Sequence, residues 1–146
     1  MTKKQASELC SRYIRLRDAL DYCARMAIDL AQFSRVEDIL VKCCTCTTIK
    51  SWIRMQAGHY FGRGLGGGSG AYFDERNINT QCPPCNGFRG GNHESYTVFM
   101  QAKYSPEVID ELHILHAGGR TYKHGEFTAI GLMYKQLYNE LVKKVS

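Results

Sequence analysis

The amino-terminal part of the chain carries the hydrophobic repeat of an amphipathic helix. Neither Pro nor Gly interrupts residues 3–33, and apolar side chains recur there at spacings of three and four. Such spacing places them on one helical face, which consists of Leu9, Tyr13, Leu16, Leu20, Cys23, Ala27 and Leu30. We predict one long helix over 3–33. Arg12, Arg15 and Arg17 fall mostly off this face. They are expected to form either a solvated helix surface or an edge that contacts phosphate.

The pattern changes after residue 38 to short runs that are typical of strands. Residues 39–41 are rich in β-branched side chains, and residues 49–53 and 60–61 predict further short strands. Residues 62–70 hold six glycines and predict a flexible hairpin tip. A formal Gly-x-Gly-x-x-Gly match lies in this loop. We discount it as a dinucleotide site, because no acidic residue follows about 20 positions on and no long βαβ unit surrounds it.

Three further helices are predicted in the last third of the chain. Their expected limits are 92 or 95 to 103, 105 to 118, and 127 to 145. Ser105 and Pro106 mark the start of the middle one, because Ser caps a helix and Pro suits its first turn. The sequence therefore predicts an α+β fold that is mostly helical, with a small β element in its middle.

Composition limits the classes of protein to which the chain can belong. Its 146 residues fit a single domain, 1–146, and the 44% of hydrophobic residues can form a core. No apolar run reaches the roughly 18 residues that span a bilayer. No apolar segment follows the first four residues as it does in a signal peptide, so we expect a cytoplasmic protein. The net charge of +5 is compatible with an anionic partner.

Four of the seven cysteines form two Cys-x-x-Cys pairs. Cys43 and Cys46 form the first pair, and Cys82 and Cys85 follow after 35 intervening residues. In a chain without a secretion signal, such pairs indicate metal binding rather than disulfides. We predict a structural zinc site that four thiolates close, holding a hairpin that buries too little apolar surface alone. Cys44 is an alternative ligand, although Cys43 gives the first pair the better spacing.

Two other cysteine chemistries fit the sequence less well. Cys-Pro-Pro-Cys at residues 82–85 also occurs as a redox dithiol of the thioredoxin type, but that interpretation leaves the first pair unexplained. A zinc deaminase needs His-x-Glu upstream of its Pro-Cys-x-x-Cys pair. Here His59 is followed by Tyr-Phe, and Gln81 precedes Cys82, so the deaminase pattern is absent from the sequence.

Polar residues between and beside the two cysteine pairs supply candidate chemistry. An imidazole such as that of His59 can take a proton from water at neutral pH. Asn77 lies on the strand expected to return beside His59, and its amide is expected to orient the ring. Asn86 follows Cys85 directly and can offer a carbonyl oxygen to a hard cation. A base, an orienting amide and an oxygen ligand suit phosphodiester hydrolysis with one metal ion.

These residues resemble those of HNH endonucleases, with His59 first, Asn77 in a central Asn-x-x-x-x-Cys element, and Asn86 after the second cysteine pair. More closely, the chain resembles the phage NinG (Rap) recombination proteins. The resemblance spans residues 11 to about 96, with a helical tail of similar character beyond. The motifs that carry it are 11–19 (Ser-Arg-Tyr-Ile-Arg-Leu-Arg-Asp-Ala), Cys43-x-Thr45-Cys46, 56–60 (Gln-Ala-Gly-His-Tyr), 73–77 (Phe-Asp-Glu-Arg-Asn), Gln81-Cys82-x-x-Cys85-Asn86, and Gly91-Asn92 followed by Tyr96.

The resemblance implies a fold and an activity. A zinc-bound, HNH-like hairpin and helix core over 36–100 is expected between the amino-terminal helix and carboxy-terminal helices over 105–146. The implied activity is that of a structure-selective DNA endonuclease, acting on junctions, flaps and D-loops with structural zinc and catalytic Mg²⁺ or Mn²⁺. His59 is then the general base, Asn86 a ligand of the catalytic ion, and Asn77 a support of the hairpin.

The expected partners are branched DNA, phage recombination proteins and a second copy of the chain, with no membrane. Many HNH enzymes carry Asp directly before the His as a second metal ligand, where this chain has Gly58. The candidates for that ligand are Asp74, Gln56 and His93. The candidates for phosphate contacts are Arg15, Arg17, Arg63 and Arg89. Because Asp is missing, a zinc-organised, non-catalytic nucleic-acid-binding recombination protein is the alternative interpretation.

Overall fold

The computed structural model describes residues 1–62 and 68–146. Besides short helical turns, the described residues form four α-helices and four short strands: α1 (Lys3–Arg25), β1 (Leu40–Lys42), β2 (Ile49–Ser51), β3 (Gln56–His59), β4 (Ile78–Gln81), α2 (His93–Lys103), α3 (Pro106–Gly118) and α4 (His124–Val145). The predicted class, α+β and mostly helical, is confirmed. None of the helices in the described ranges combines the length and apolar character that crossing a membrane requires.

Helix α1 starts where its capping residue dictates and ends earlier than predicted. The Thr2 hydroxyl oxygen caps it by accepting from the Gln5 amide, and the Thr2 amide donates to Gln5 Oε1 at 2.8 Å. The helix ends at Arg25 because Ala27 takes a left-handed φ of 54° and Ile28 N–H donates to the Cys23 carbonyl, 2.8 Å away. The prediction of a helix to residue 33 was therefore wrong. No Gly or Pro marks this ending in the sequence.

The buried face of α1 is broader than the predicted stripe. Of the predicted positions, Leu16 and Cys23 are fully buried, while Leu9, Tyr13 and Leu20 are partly buried. The buried residues of the helix are Ala6, Cys10, Ile14, Leu16, Ala19, Tyr22 and Cys23. Helix α4 and both hairpins pack against α1. Coverage from several directions buries side chains that a single amphipathic stripe would leave in solvent.

The strands form two separate antiparallel hairpins. β1 pairs with β2, with Val41 opposite Lys50, and β3 pairs with β4, with His59 opposite Ile78. The strand predicted at 39–41 lies one residue later. The prediction at 60–61 was wrong, because β3 ends at His59 and the chain bends there.

The two faces of the β3–β4 hairpin contact different helices. On one face, Thr80 donates from its amide and its hydroxyl to the Asp18 carboxylate of α1, both at 2.8 Å. On the other, Asn79 Nδ2 donates to the Tyr96 hydroxyl of α2 at 3.2 Å. Side chains alternate along a strand, so His59 lies on the face that contacts α1.

The carboxy-terminal helices α3 and α4 complete the fold, and α4 packs against α1. Ser105 caps α3 by accepting from the Val108 amide, as its sequence predicts, and α3 ends at Gly118. Helix α4 starts three residues before the predicted position 127. The Tyr134 hydroxyl of α4 donates to the Phe73 carbonyl, which ties α4 to the segment before β4.

Replacing Asp18 by Ala is expected to lower the free energy of unfolding by about 1–3 kcal/mol, because the buried Thr80 amide would lose its acceptor. Asp21→Ala is the matched control, since Asp21 makes an exposed ion pair with Arg25 and should change stability by at most about 0.5 kcal/mol. Urea unfolding measures both. Equal effects of the two substitutions would contradict the structural role of Asp18.

Candidate functional site

The four paired cysteines converge in the structure. The sulfur atoms of Cys43, Cys46, Cys82 and Cys85 all lie within 4.8 Å of one another. The Sγ atoms of Cys46 and Cys82 are 3.6 Å apart. A tetrahedral zinc–thiolate site has sulfur–sulfur distances of about 3.8 Å, which follows from zinc–sulfur bonds of about 2.3 Å. The cluster therefore fits a four-coordinate structural metal ion such as zinc, as the spacing predicted.

Backbone geometry brings the two cysteine pairs together. The first pair follows β1 and the second follows β4, and the Cys44 amide donates to the Thr80 carbonyl at 2.9 Å. Around the sulfurs, the Thr45 amide lies 3.5 Å from Cys43 Sγ and the Thr48 amide 3.4 Å from Cys46 Sγ. N–H groups aimed at sulfur stabilise the thiolate form that binds a metal.

The pKa values of the thiols differ within the cluster. Burial raises the pKa of Cys46, but hydrogen bonds from Thr48 outweigh it and lower the pKa to about 6. Burial raises the pKa of Cys44 above its ordinary value, and Cys44 lies outside the cluster. Burial also raises the pKa of Cys82 to about 12, opposite to the shift expected of a reactive redox thiol.

The His59 ring is held by Tyr72. Its Nε2 lies 2.9 Å from the Tyr72 carbonyl oxygen, and the two rings stack with centroids 4.3 Å apart. Because a carbonyl oxygen accepts only, Nε2 carries the proton. In the neutral imidazole the basic nitrogen is then Nδ1. The Tyr72 hydroxyl shares a hydrogen bond with Ser7 of α1 at 3.3 Å.

His59 lines a cleft of about 720 Å³ between α1 and the β3–β4 hairpin. The polar groups that α1 contributes are Lys3, Lys4, Ser7, Glu8, Ser11 and Arg15. This wall carries three cations and one carboxylate, so it favours an anionic ligand. Lys3, Lys4, Ser7 and Tyr72 were not predicted from the sequence to belong to the site. The available signal was a polar stripe at 4, 7, 8, 11 and 15, whose spacing places it on one face of a helix.

Asn77 is fully buried and bridges two parts of the backbone. Its Oδ1 accepts from the Phe61 amide at 2.8 Å, and its Nδ2 donates to the carbonyls of Phe61 and Ala71 at 3.0 and 3.1 Å. Both amide hydrogens are thus used on backbone. The expectation that Asn77 orients the imidazole is corrected. Asn77 holds the chain after β3 to the chain before β4, while the Tyr72 carbonyl orients the ring.

Asn86 and His59 lie at different faces of β3. Asn86 Nδ2 donates to Gln56 Oε1 at 2.8 Å, which pins the turn after Cys85 onto the start of the strand. Gln56 and His59 are three residues apart, so their side chains point to opposite faces and their Cα atoms are about 10 Å apart. The structure therefore does not gather these two side chains around one cation.

The space beside Gly58 is taken by a neighbouring side chain. Gly58 stands at the position where many HNH enzymes carry Asp. A Cβ atom on Gly58 would lie 1.8 Å from Gln81 Oε1. Gln81 is fully buried, and its Nε2 donates to Thr45 Oγ1 and the Gly91 carbonyl at 3.0 and 2.8 Å. Within residues 1–62 and 68–146, Gln81 Oε1 is the one buried side-chain N or O atom that has no hydrogen-bond partner. A side chain at position 58 would therefore require the buried Gln81 side chain to move.

The protein family follows from comparison with known sequences. The family model described as "Bacteriophage Lambda NinG protein" matches residues 1–144 of this chain. The chain belongs to the NinG family. Curated relatives named "Protein ninG" are 34% identical in Escherichia phage 933W and 33% identical in Escherichia phage lambda and Salmonella phage P22. Each match covers 109 residues, which are 75% of this chain and 52% of the relative.

This NinG-family chain spans about half the length of the curated relatives that it matches. No solved structure matches it. The match to the family model confirms, at the level of the family, the resemblance predicted from the sequence motifs.

The remaining predicted ligands of a catalytic ion have other partners in the NinG-family fold. Both oxygens of Asp74 accept from Arg76, at 3.0 and 2.8 Å. Burial raises the pKa of Asp74, but the hydrogen bonds from Arg76 outweigh burial and hold that pKa below its ordinary value. His93 stacks on Tyr60, with ring centroids 4.7 Å apart. An Asp paired with Arg is a weak cation ligand, because its charge is already neutralised.

The four predicted phosphate-contacting arginines differ in their surroundings. Arg17 donates to the carbonyls of Glu75 and Ile78 and forms an ion pair with Asp18. Arg15 donates to backbone carbonyls of the segment before β3. These two side chains hold α1 against the hairpins, which favours a structural role. Arg89 is exposed. Arg63 lies outside the described residues.

Proposed function

We propose that this NinG-family chain is a metal-dependent, structure-selective DNA endonuclease that hydrolyses phosphodiester bonds in branched recombination intermediates. One observation carries the proposal. The His59 imidazole, oriented by the Tyr72 carbonyl, lines a cleft whose α1 wall is rich in cations. An oriented base beside positive charge is what phosphodiester hydrolysis requires.

In the proposed reaction, His59 acts as the general base. The imidazole takes a proton from a water molecule as the water oxygen forms a bond to phosphorus. The bond from phosphorus to one ester oxygen breaks, and the departing oxygen takes a proton from solvent. The Nε2–H group stays hydrogen-bonded to Tyr72, so the imidazolium that forms keeps its orientation.

The α1 wall would hold the phosphate in this reaction. Lys3 Nζ lies 4.4 Å from the centre of the Tyr72 ring, and that ring stacks on His59. Lys4 lies next to Lys3 in the first turn of α1 and lines the same cleft. Ammonium groups at this position would neutralise part of the charge that develops on the phosphate oxygens.

The proposal includes zinc at the four-cysteine cluster and Mg²⁺ or Mn²⁺ for catalysis. The cluster fits zinc by its donor set and its sulfur spacing. The described residues fit a catalytic ion less well than the cluster fits zinc. Asp74 is bound to Arg76, and position 58 is glycine. In the cleft itself, Glu8 supplies a carboxylate.

Partners follow from the proposed substrate. Branched DNA is the proposed ligand, and a four-way junction has two strands to cut, which favours a homodimer. Phage recombination proteins are further proposed partners. Light scattering of the free chain and of its junction complex measures the number of chains on one DNA.

Cleavage of labelled DNA tests the proposed function. A four-way junction, a flap and a linear duplex would each be incubated with Mg²⁺, Mn²⁺ or EDTA. We expect metal-dependent cutting of the branched substrates and little cutting of the duplex. Tight binding of the junction without cutting in any metal would contradict the nuclease.

A nucleic-acid-binding protein without catalysis is the second candidate. Glycine at position 58 favours it, because Gly58 has no side chain to bind a metal ion and an added one would meet the Gln81 side chain. In that case the His59 cleft would bind phosphate without hydrolysing it. Binding that survives EDTA, together with intact DNA in every metal, is the result expected of this candidate.

Replacing Lys4 by Ala is expected to weaken DNA binding about three- to ten-fold and to reduce the salt dependence of binding by about one counterion, because one phosphate contact is lost. Lys135→Ala is the matched control, since Lys135 is an exposed lysine of α4 outside the cleft. Fluorescence anisotropy across a salt series measures both. Identical slopes for the two variants would place the DNA elsewhere.

A further inference from the structure

An aromatic side chain projects into solvent beside the four-cysteine cluster. Phe88 is 92% exposed, whereas Ile114, another strongly exposed large hydrophobic residue, is 71% exposed. Phe88 ends the π-helical turn Pro84–Phe88, which contains the predicted metal ligand Cys85. Single apolar side chains are common on protein surfaces, so the surroundings of this ring, rather than its exposure alone, decide whether it can hold a ligand.

Hydrogen bonds hold the backbone around Phe88 in place. We call residues 87–91 the aromatic tip. The Arg89 amide donates to the Pro84 carbonyl at 2.8 Å, and the Gly91 amide donates to the Cys85 carbonyl at 2.9 Å. The Gly91 carbonyl accepts from the buried Gln81 side chain at 2.8 Å. The ring is therefore presented on a fixed base that the cysteine cluster anchors.

Two glycines give the aromatic tip its shape. Gly90 and Gly91 have φ angles of 59° and 89°, in the left-handed region that favours glycine. Nothing lies within 4 Å of a Cβ placed on Gly87, Gly90 or Gly91. Open space on these sides leaves room for a flat ligand against the Phe88 ring.

Charge near the aromatic tip indicates the ligand. Residues 82–93 include no Asp or Glu, and Arg89 directly follows Phe88 and is exposed. One aromatic ring among glycines is too small for a stable protein interface, which buries about 800 Å² on each partner. It matches the size of one nucleobase, which stacks on aromatic side chains irrespective of sequence.

We propose that Phe88 stacks on an unpaired or unstacked base at the branch point of a DNA ligand, while Arg89 contacts the adjoining phosphate. Apolar side chains that wedge into base steps act in this way, and they bind most readily where stacking is already broken. The inference deepens the proposed function by naming the contact that selects branched DNA. It rests on DNA binding and does not require catalysis.

Phe88→Ala tests the inference with little risk to the fold, because the side chain is almost fully exposed. The probe is a four-way junction with 2-aminopurine at the branch point, compared with a linear duplex that carries the same fluorophore. We expect Phe88→Ala to weaken junction binding about ten-fold, with duplex affinity changed less than two-fold. The 2-aminopurine signal on binding should be lost, and Phe88→Trp should restore it.

Ile114→Ala is the matched control, since it removes a similarly exposed apolar side chain from α3. It should leave both affinities unchanged. Bound zinc and the melting temperature, measured for every variant, confirm that the cluster is intact.

The outcomes separate this inference from the proposed function. If the wild type binds and cuts junctions and Phe88→Ala retains the preference and the fluorescence signal, the inference is overturned alone. An equal loss on junction and duplex also overturns it, because the contact would then not select branches. If the wild type binds no DNA, the inference and the proposed function both fail. A protein ligand for Phe88 would give unchanged DNA binding, which again overturns the inference.

Discussion

Replacing His59 by Ala is expected to reduce the single-turnover rate of junction cleavage about 10²- to 10⁴-fold, which is the typical contribution of a positioned general base. The Tyr72 carbonyl and ring hold the imidazole in one orientation, and alanine removes the nitrogen that takes the proton. Junction affinity should stay within a few-fold of wild type, because the lysines of the α1 wall remain.

The control for this substitution is His124→Ala. His124 is an exposed histidine at the start of α4, outside the residues that line the His59 cleft. It should cleave at the wild-type rate. A fully active His59→Ala protein would show that another group takes the proton, and it would remove the observation on which the proposed function rests.

Replacing Cys82 by Ser is expected to abolish stoichiometric zinc binding. It should also abolish the cooperative unfolding of the two hairpins that the cluster joins. Structural zinc contributes about 10–16 kcal/mol of apparent binding energy in small zinc-dependent peptides. A whole domain is stable by only about 5–15 kcal/mol, so losing one of four ligands should leave little of the structure around the cluster. Metal analysis and thermal unfolding, with and without a chelator, measure the effect.

Cys44→Ser is the control for the metal site. Cys44 is adjacent in sequence to Cys43 but does not belong to the cluster. The variant should retain one zinc ion per chain and lose little of its melting temperature. If Cys82→Ser unfolds at the wild-type temperature, the four-cysteine cluster does not stabilise the fold through a metal.

Local patterns predicted several elements correctly, because the interactions behind them are local. The Ser105–Pro106 start of α3 depends on a cap that reaches three residues along the chain. To form one metal site, two Cys-x-x-Cys pairs need only lie on turns that come together. The four sulfur atoms do converge in the structure. The end of α1 at Arg25 was missed, because a left-handed alanine ended the helix without a Gly or Pro signal.

Long-range contacts decided the details of the candidate site. Asn77 bonds to Phe61 and Ala71 rather than to the imidazole, because the fold brings the backbone of those two residues to its buried amide. The sequence also gave no reason to expect Gln81 to fill the space beside Gly58. Both results depend on which side chains meet across the hairpin.

By itself, the sequence determined that this chain is a NinG-family protein with a four-cysteine cluster inside a mostly helical fold. Residue types at fixed spacing encode those features directly. The tertiary structure alone decided that α1 supplies a cationic wall to the His59 cleft, that Asn86 lies across β3 from His59, and that Phe88 projects from a rigid turn. These depend on how helices and hairpins pack, which buries some faces and exposes others irrespective of local pattern.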